Sequence, residues 1–188
     1  SAGAPLCGER LLPLQSGSPE ILKKMCRQYT LDEFTKTADL VKSRLDRPAV
    51  TTDIIVGFPG ETDCDFQQTV DLARHVGFAK MHVFPFSPRQ DTPAAKMPKP
   101  VHNETVKHRS QALRNLDNEL GCQFRQQFIG QTATILIEDT SSRLAGRCER
   151  YFMVSIENPT ENLKKNDLVK VTLTKNNKTD MTSRQASV

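Results

Sequence analysis

The sequence predicts an α/β chain in two parts: parallel strand–helix units in residues 1–127, then a small antiparallel β-barrel over 128–175. Three observations predict it. Apolar runs of strand length alternate with amphipathic helices between residues 10 and 86, at separations too long for hairpins. A long helical stripe follows, from residue 104 to 127. Beyond Gly130 the pattern changes to short β-branched or alternating runs separated by Gly, Ser, Asn and Pro.

Each element has its own signal. Residues 10–16 read as a short buried strand running into a turn. Ser18-Pro19-Glu20 starts a helix with a hydroxyl cap, a proline at the first helical position and an acid in the first turn; it is expected to reach Gln28. Thr30 and Glu33 form a capping box, and Leu31, Phe34, Ala38, Val41 and Leu45 recur at helical spacing until Pro48 ends the run. Residues 49–56 are β-branched and bounded by Gly57 and Pro59, hence a strand. Thr62 and Asp65 open a helix that carries Phe66, Val70 and Ala73 and stops at Gly77; residues 80–86 are the next strand. Three parallel strands make a small sheet with an open edge at residues 11–14, so these units are expected to continue into a larger sheet or barrel.

Residues 87–102 hold four prolines and read as an irregular loop. Val106, Leu113, Leu116, Leu120 and Phe124 then stripe the long helix. Residues 132–138, 150–157 and 167–174 are the barrel strands, and the polar residues 176–188 read as a disordered tail.

Composition bounds the function. With 37% hydrophobic and 26% charged residues the chain is an ordinary globular protein, and no apolar stretch is long enough to span a membrane. No basic segment followed by an apolar core marks residues 1–6 as a secretory signal, so the cytoplasm is the expected compartment. A net charge of +4 permits a nucleic-acid partner without demanding one. The five cysteines, Cys7, Cys26, Cys64, Cys122 and Cys148, are odd in number and widely spread, with no CxxC run. They read as reduced structural thiols, and no metal site is expected.

Four stretches carry chemistry. Leu12-Pro13-Leu14-Gln15-Ser16-Gly17-Ser18 puts polar groups at a strand's C-terminal end, where parallel α/β barrels bind ligands. Capping accounts for Gly17 and Ser18, which leaves Gln15 and Ser16 as candidates. Thr52-Asp53-Ile54-Ile55-Val56-Gly57-Phe58-Pro59-Gly60-Glu61-Thr62 ends a strand in glycines before a helix start. Such glycines let a ligand approach the backbone; a plain Gly/Pro turn with a first-turn acid is the alternative. His82-Val83-Phe84-Pro85-Phe86-Ser87-Pro88-Arg89 again ends a strand in polar groups, and Arg89 can hold a carboxylate or stand as a surface charge. Finally Lys107, Arg109, Arg114, Arg125, Arg143, Arg147, Arg150, Lys164 and Lys165 straddle the long helix and the β part, with Tyr151 and Phe152 among them. Gathered on one side they would contact phosphates while an aromatic ring stacks on an unpaired base; otherwise they are solvated charges and core.

Taken together, these strings and Thr92-Pro93-Ala94-Ala95 resemble, in order and spacing, the radical-SAM tRNA methylthiotransferases. The likeness is greatest to those acting on threonylcarbamoyladenosine. Phe128-Ile129-Gly130 and residues 146–154 resemble the family's TRAM domain, an OB-like RNA-binding barrel. The resemblance implies the C-terminal part of a partial TIM-like (β/α) barrel holding S-adenosylmethionine, with Gln15, Ser16, Thr52, Asp53, Gly57, Ser87 and Arg89 near the cofactor. It implies tRNA, rather than DNA or a membrane, as partner, with Arg125, Arg143, Arg147, Arg150, Tyr151 and Lys164 as RNA contacts. The family's [4Fe–4S] clusters need a CxxxCxxC run that this sequence lacks, so the chain alone is expected to be inactive. The implied parent reaction adds a methylthio group to C2 of N6-threonylcarbamoyladenosine. A tRNA-binding module without catalysis, and an enzyme acting on isopentenyladenosine, are the alternatives.

Overall fold

The computed structural model describes residues 8–89, 92–141, 143–157, 159 and 162–185. Its first part is a three-stranded parallel sheet, β1 (Glu9–Leu11), β2 (Ala49–Val56) and β3 (Lys80–Pro85), in that spatial order. Helices α1 (Pro19–Lys24) and α2 (Leu31–Arg44) connect β1 to β2, and α3 (Asp63–Val76) connects β2 to β3. Ser18 caps α1, while Thr30 with Glu33 and Thr62 with Asp65 close capping boxes on α2 and α3.

Two elements are shorter than the sequence pattern implies. β1 stops at Leu11, since Pro13 has no amide to give and the Leu14 amide goes to the Thr52 hydroxyl instead of a ladder carbonyl. Helix α1 ends at Lys24 because Cys26 turns the chain into the left-handed region, φ 55°. The proline-rich loop also holds one 3₁₀ turn, Pro93–Lys96.

The two faces of the sheet differ. Val50, Ile54 and Val56 of β2 share one face and a core with Phe34 and Ala38 of α2, Ala73 and Val76 of α3, and Leu113, Leu116 and Leu120 of α4 (Asn103–Gln126). All three helices thus lie on one side. The other side carries Thr51, Asp53 and Ile55 beside their β3 register partners Lys80, His82 and Phe84. Part of that face is bare: Leu11 and Phe84 are each 51% exposed. On the outer edge of β3, Asp117 of α4 accepts the Met81 amide at 2.7 Å, which blunts that edge.

The second part is a closed five-stranded barrel: β4 (Thr132–Asp139), β5 (Ala145–Cys148), β6 (Met153–Glu157), β7 (Leu168–Asn176) and β8 (Met181–Gln185), in the order β4-β5-β6-β8-β7. It differs from expectation in three ways. The four-residue β5 is an added strand. Residues 149–151 turn, so the expected strand at 150–157 begins only at Met153. Most importantly, the expected tail includes β8, which pairs antiparallel with β7 and parallel with β6, so the barrel is not wholly antiparallel. Its composition hid it: β8 buries one apolar residue, Met181, beside the hydroxyls of Thr182 and Ser183. Residues 186–188 of that tail, and Cys7, lie outside the described residues.

Helix α4 joins the two parts. Its last turns insert Phe124 into the barrel core beside Phe128, Phe152, Ile135, Val171 and Met181, with the Phe124–Phe128 rings 5.2 Å apart, edge to face. Ala49, at the start of β2, is buried in the same core, and Ala79, just before β3, packs against it. The barrel therefore sits at the N-terminal end of the sheet, and the C-terminal strand ends stay clear of it.

Candidate cofactor edge and nucleic-acid interface

At the C-terminal edge the sequence candidates come together by backbone pairing. Gln15 bridges to Ile54: its amide donates to the Asp53 carbonyl at 2.8 Å and its carbonyl accepts from Ile55 at 2.9 Å. It does so at φ 62°, a conformation that side chains other than glycine adopt only under constraint. The Phe86 amide donates to Val56 at 2.7 Å, which brings Ser87 beside Gly57. Ser87 and Arg89 are exposed on the loop, and the Arg89 carbonyl accepts from the Thr92 amide and hydroxyl.

These residues are not equally available. Thr52 is buried with its hydroxyl accepting the Leu14 amide at 3.0 Å, and the buried Ser16 hydroxyl accepts the Ser18 amide at 3.2 Å. Both shape the loop. Gly17 lies against α3: a Cβ there would fall 2.5 Å from the Thr69 Cα. Asp53 is half-buried on the face away from the helices, and no described residue hydrogen-bonds its carboxylate.

Packing accounts for the glycine-rich string. Gly57 has φ 79°, and a Cβ on it would fall 2.5 Å from the Val106 Cγ2 of α4. Its amide donates to the Glu61 carboxylate at 2.9 Å. Glu61 in turn accepts from Arg109 of α4 at 2.6 Å, and the same guanidinium reaches Asp63 at 2.6 Å. Burial pushes the Glu61 carboxyl up, and the Gly57 amide and Arg109 offset part of that. Burial also opposes the Arg109 cation, but hydrogen bonds to Asp63 and Glu61 overcome it and raise its pKa above the ordinary arginine value. Glu61–Arg109 is thus a buried ion pair tying the β2–α3 loop to α4. Sequence reasoning gave Glu61 no partner and set Arg109 in a basic stripe, because 48 residues separate them.

On the barrel side the basic residues fall into two groups. Arg125 is 6% exposed and donates to Asn176 Oδ1 (3.2 Å), the Asn177 carbonyl (3.1 Å) and the Lys178 carbonyl (2.8 Å), fastening α4 to the β7–β8 turn. Arg150 donates to the Asp46 carbonyl (2.7 Å) and carboxylate (2.8 Å) and lies 4.6 Å from the Phe128 ring centroid. These two guanidiniums hold the junction. Arg147 and Tyr151 are open: the Arg147 guanidinium stacks over the Tyr151 ring at 4.8 Å, with Glu138 3.4 Å away. Arg143 is exposed and pairs with Asp180 at 2.7 Å. Lys164 is exposed in the loop before β7, where its amide donates to Asp167.

Arg147, Arg150 and Tyr151 line a cavity of about 310 Å³ between sheet and barrel, whose other walls include Thr51, Lys80, His82 and Met153. The sequence did not foresee the sheet's share in it.

Among the described residues no group of three or more His, Cys, Asp or Glu side chains is placed to hold a metal ion. Cys26 and Cys64 are exposed and Cys122 is half-buried; Cys148 is buried, and burial pushes its thiol up to about 11. These four thiols do not fit an iron–sulfur cluster. No helix among the described residues is long and apolar enough to cross a membrane.

Comparison with known proteins finds relatives of this chain. The Radical SAM superfamily matches residues 11–73, from the end of β1 to α3. The chain is 42% identical over 146 residues to the tRNA-2-methylthio-N(6)-dimethylallyladenosine synthase of Pelotomaculum thermopropionicum, covering 78% of this chain and 33% of that protein. The chain belongs to the radical SAM tRNA methylthiotransferase family. The Bacillus subtilis member of the same name is 38% identical over 164 residues, 85% of this chain and 32% of its own. The threonylcarbamoyladenosine tRNA methylthiotransferase of Thermotoga maritima is 40% identical over 133 residues, 71% of this chain and 31% of its own. The chain therefore spans about a third of the length of these radical SAM methylthiotransferases.

Proposed function

We propose that this chain forms the cofactor-lining edge and RNA-binding part of a tRNA methylthiotransferase acting at C2 of an N6-modified adenosine. The observation that carries it is the arrangement of the sheet. Three strands in sequential order, with α2, α3 and α4 on one face only, have the form of an arc of a (β/α) barrel whose lumen face is open. A doubly wound sheet would carry helices on both faces. The closed five-stranded barrel takes the TRAM role.

The open face suits a nucleoside cofactor. Ile55 and the exposed Phe84 offer an apolar surface, and Asp53 offers a carboxylate to hydroxyl donors. Gln15 and Gly57 border the site, with Ser87 and Arg89 at its rim. One molecule of S-adenosylmethionine, given an electron by the family's iron–sulfur cluster, would supply the radical that activates the base, and a second would supply the methyl group of the product. The residues of this chain orient the cofactor and carry the RNA; with no CxxxCxxC run among its five cysteines, the chain alone binds without methylthiolating.

The test is tRNA binding by this chain across salt. Contacts from Arg143, Arg147 and Lys164 to three phosphates imply a fall in affinity of roughly 40-fold between 50 and 200 mM salt. Affinity that is absent, or indifferent to salt, contradicts the proposal.

Threonylcarbamoyladenosine is the favoured nucleoside on the strings quoted above. The dimethylallyladenosine names of the Pelotomaculum and Bacillus relatives support the second reading. Mass spectrometry of tRNA nucleosides from cells lacking the gene separates them by which unthiolated nucleoside accumulates.

A further inference from the structure

We infer that the cavity between sheet and barrel is a composite anchor for one unpaired RNA base, built from both parts of the chain and separate from the cofactor edge. The inference rests on the tRNA reading above and adds the place and the chemistry of one contact.

Three observations carry it. Tyr151 sits at φ 68°, a left-handed backbone that costs a non-glycine residue of order 1–3 kcal/mol and persists only where the surroundings impose it. The turn that imposes it, closed by the Tyr151 amide on the Cys148 carbonyl at 2.9 Å, leaves the residue 44% exposed. An exposed aromatic ring held in a strained turn is arranged to present its ring. The Arg147 guanidinium lies over that ring at 4.8 Å, a planar cation next to the position where a base would stack.

The walls complete the site. Ala49, Ala79, Phe124, Phe152 and Met153 supply apolar surface, and Lys80 and His82 of β3 bring polar groups from the sheet. Lys80 is paired with Asp117 but half exposed, with donors to spare for a phosphate. The volume of about 310 Å³ suits a single base with part of its ribose. Arg150 lines the cavity too, but its donors are committed to Asp46 and Arg47, so it shapes the site.

The position has a mechanistic consequence. Thr51, on the cavity wall, lies on β2, and Gly57, at the cofactor edge, directly follows that strand, about 20 Å away at roughly 3.3 Å per residue. A base held at Tyr151 therefore fixes the strand of RNA a few nucleotides from the one delivered along the open face to the strand ends.

Fluorescence anisotropy of the 188-residue chain with a labelled unmodified anticodon stem-loop RNA tests this. Tyr151→Ala is expected to weaken binding about tenfold, the loss of one base–aromatic stack. Tyr151→Phe, which keeps the ring, should bind within twofold of the parent. His82→Ala changes only the sheet wall, at an exposed side chain, and should weaken binding severalfold with the melting temperature unchanged. Parent-like binding by Tyr151→Ala, or by His82→Ala, overturns the composite anchor while leaving tRNA binding intact. Failure of the parent chain to bind the stem-loop at all contradicts the tRNA reading itself.

Discussion

At Gly57 two constraints meet that no side chain satisfies together: a backbone at φ 79° and a helix at van der Waals distance. Gly57→Ala should destabilise the chain by about 1–3 kcal/mol, from left-handed strain and the clash with Val106. Thermal unfolding of Gly57→Ala, Val106→Ala and the double variant checks this. The double variant should recover the packing share of the loss and not the backbone share. Arg109 makes a harsher case. Arg109→Leu would leave Glu61 buried and unpaired, and should cost about 3–5 kcal/mol unless the carboxyl is neutralised as well. The single variant should unfold earlier than the Arg109→Leu/Glu61→Gln pair in a denaturant titration. The sequence showed the glycines as places of close approach, but it could not show that the approaching partner is α4. Val106 of that helix lies 49 residues beyond Gly57, and no local pattern records such a distance.

At the level of elements, what was legible had a local cause. The capping boxes at Thr30 and Thr62, the stop at Gly77 and the β-branched run of β2 are written in neighbouring residues, and the structure has them where the sequence puts them. What was missed has a cause in tertiary structure. β5 is four residues long, and β8 is nearly all polar because its neighbours supply the apolar contacts. Arg125 looked like a phosphate contact by charge alone; the carbonyls that occupy it belong to a turn more than 50 residues further on. The candidate edge was legible as strand ends, and the division of labour along it was not, since Thr52 and Ser16 give their hydroxyls to backbone amides. If β8 closes the barrel, a chain ending at residue 175 should lose the barrel and retain the sheet. Circular dichroism with limited proteolysis should then find new cleavage at 132–157. A 175-residue chain as resistant as the parent would show β8 to be dispensable.

For the whole molecule, the question is how firmly sheet and barrel are joined. Asp46 is the exposed centre of that joint: hydrogen bonds from Arg47 and then Arg150 hold its carboxyl below the usual carboxylate range. A depressed acid stabilises the folded state above its unfolded value of about 3.9, and that contribution is lost as pH falls through the depressed folded value. Acidification below about pH 4 should therefore loosen the junction. Asp46→Asn should remove this part of the acid dependence while leaving the neutral-pH fold in place. Melting curves of both proteins from pH 7 to 3 give the comparison, and parallel curves throughout would assign the acid sensitivity elsewhere.

The parallel pairing of β6 with β8 also sets the order in which this molecule can be made. While the chain leaves the ribosome, β4, β5, β6 and β7 emerge with a gap that nothing yet synthesised can fill, and two strand edges face solvent until Met181–Gln185 follows. The seam closes only once β8 has been made. Shielding of those edges by a chaperone, or a fusion partner attached too near Gln185, would act on this one late event more than on any other step of maturation.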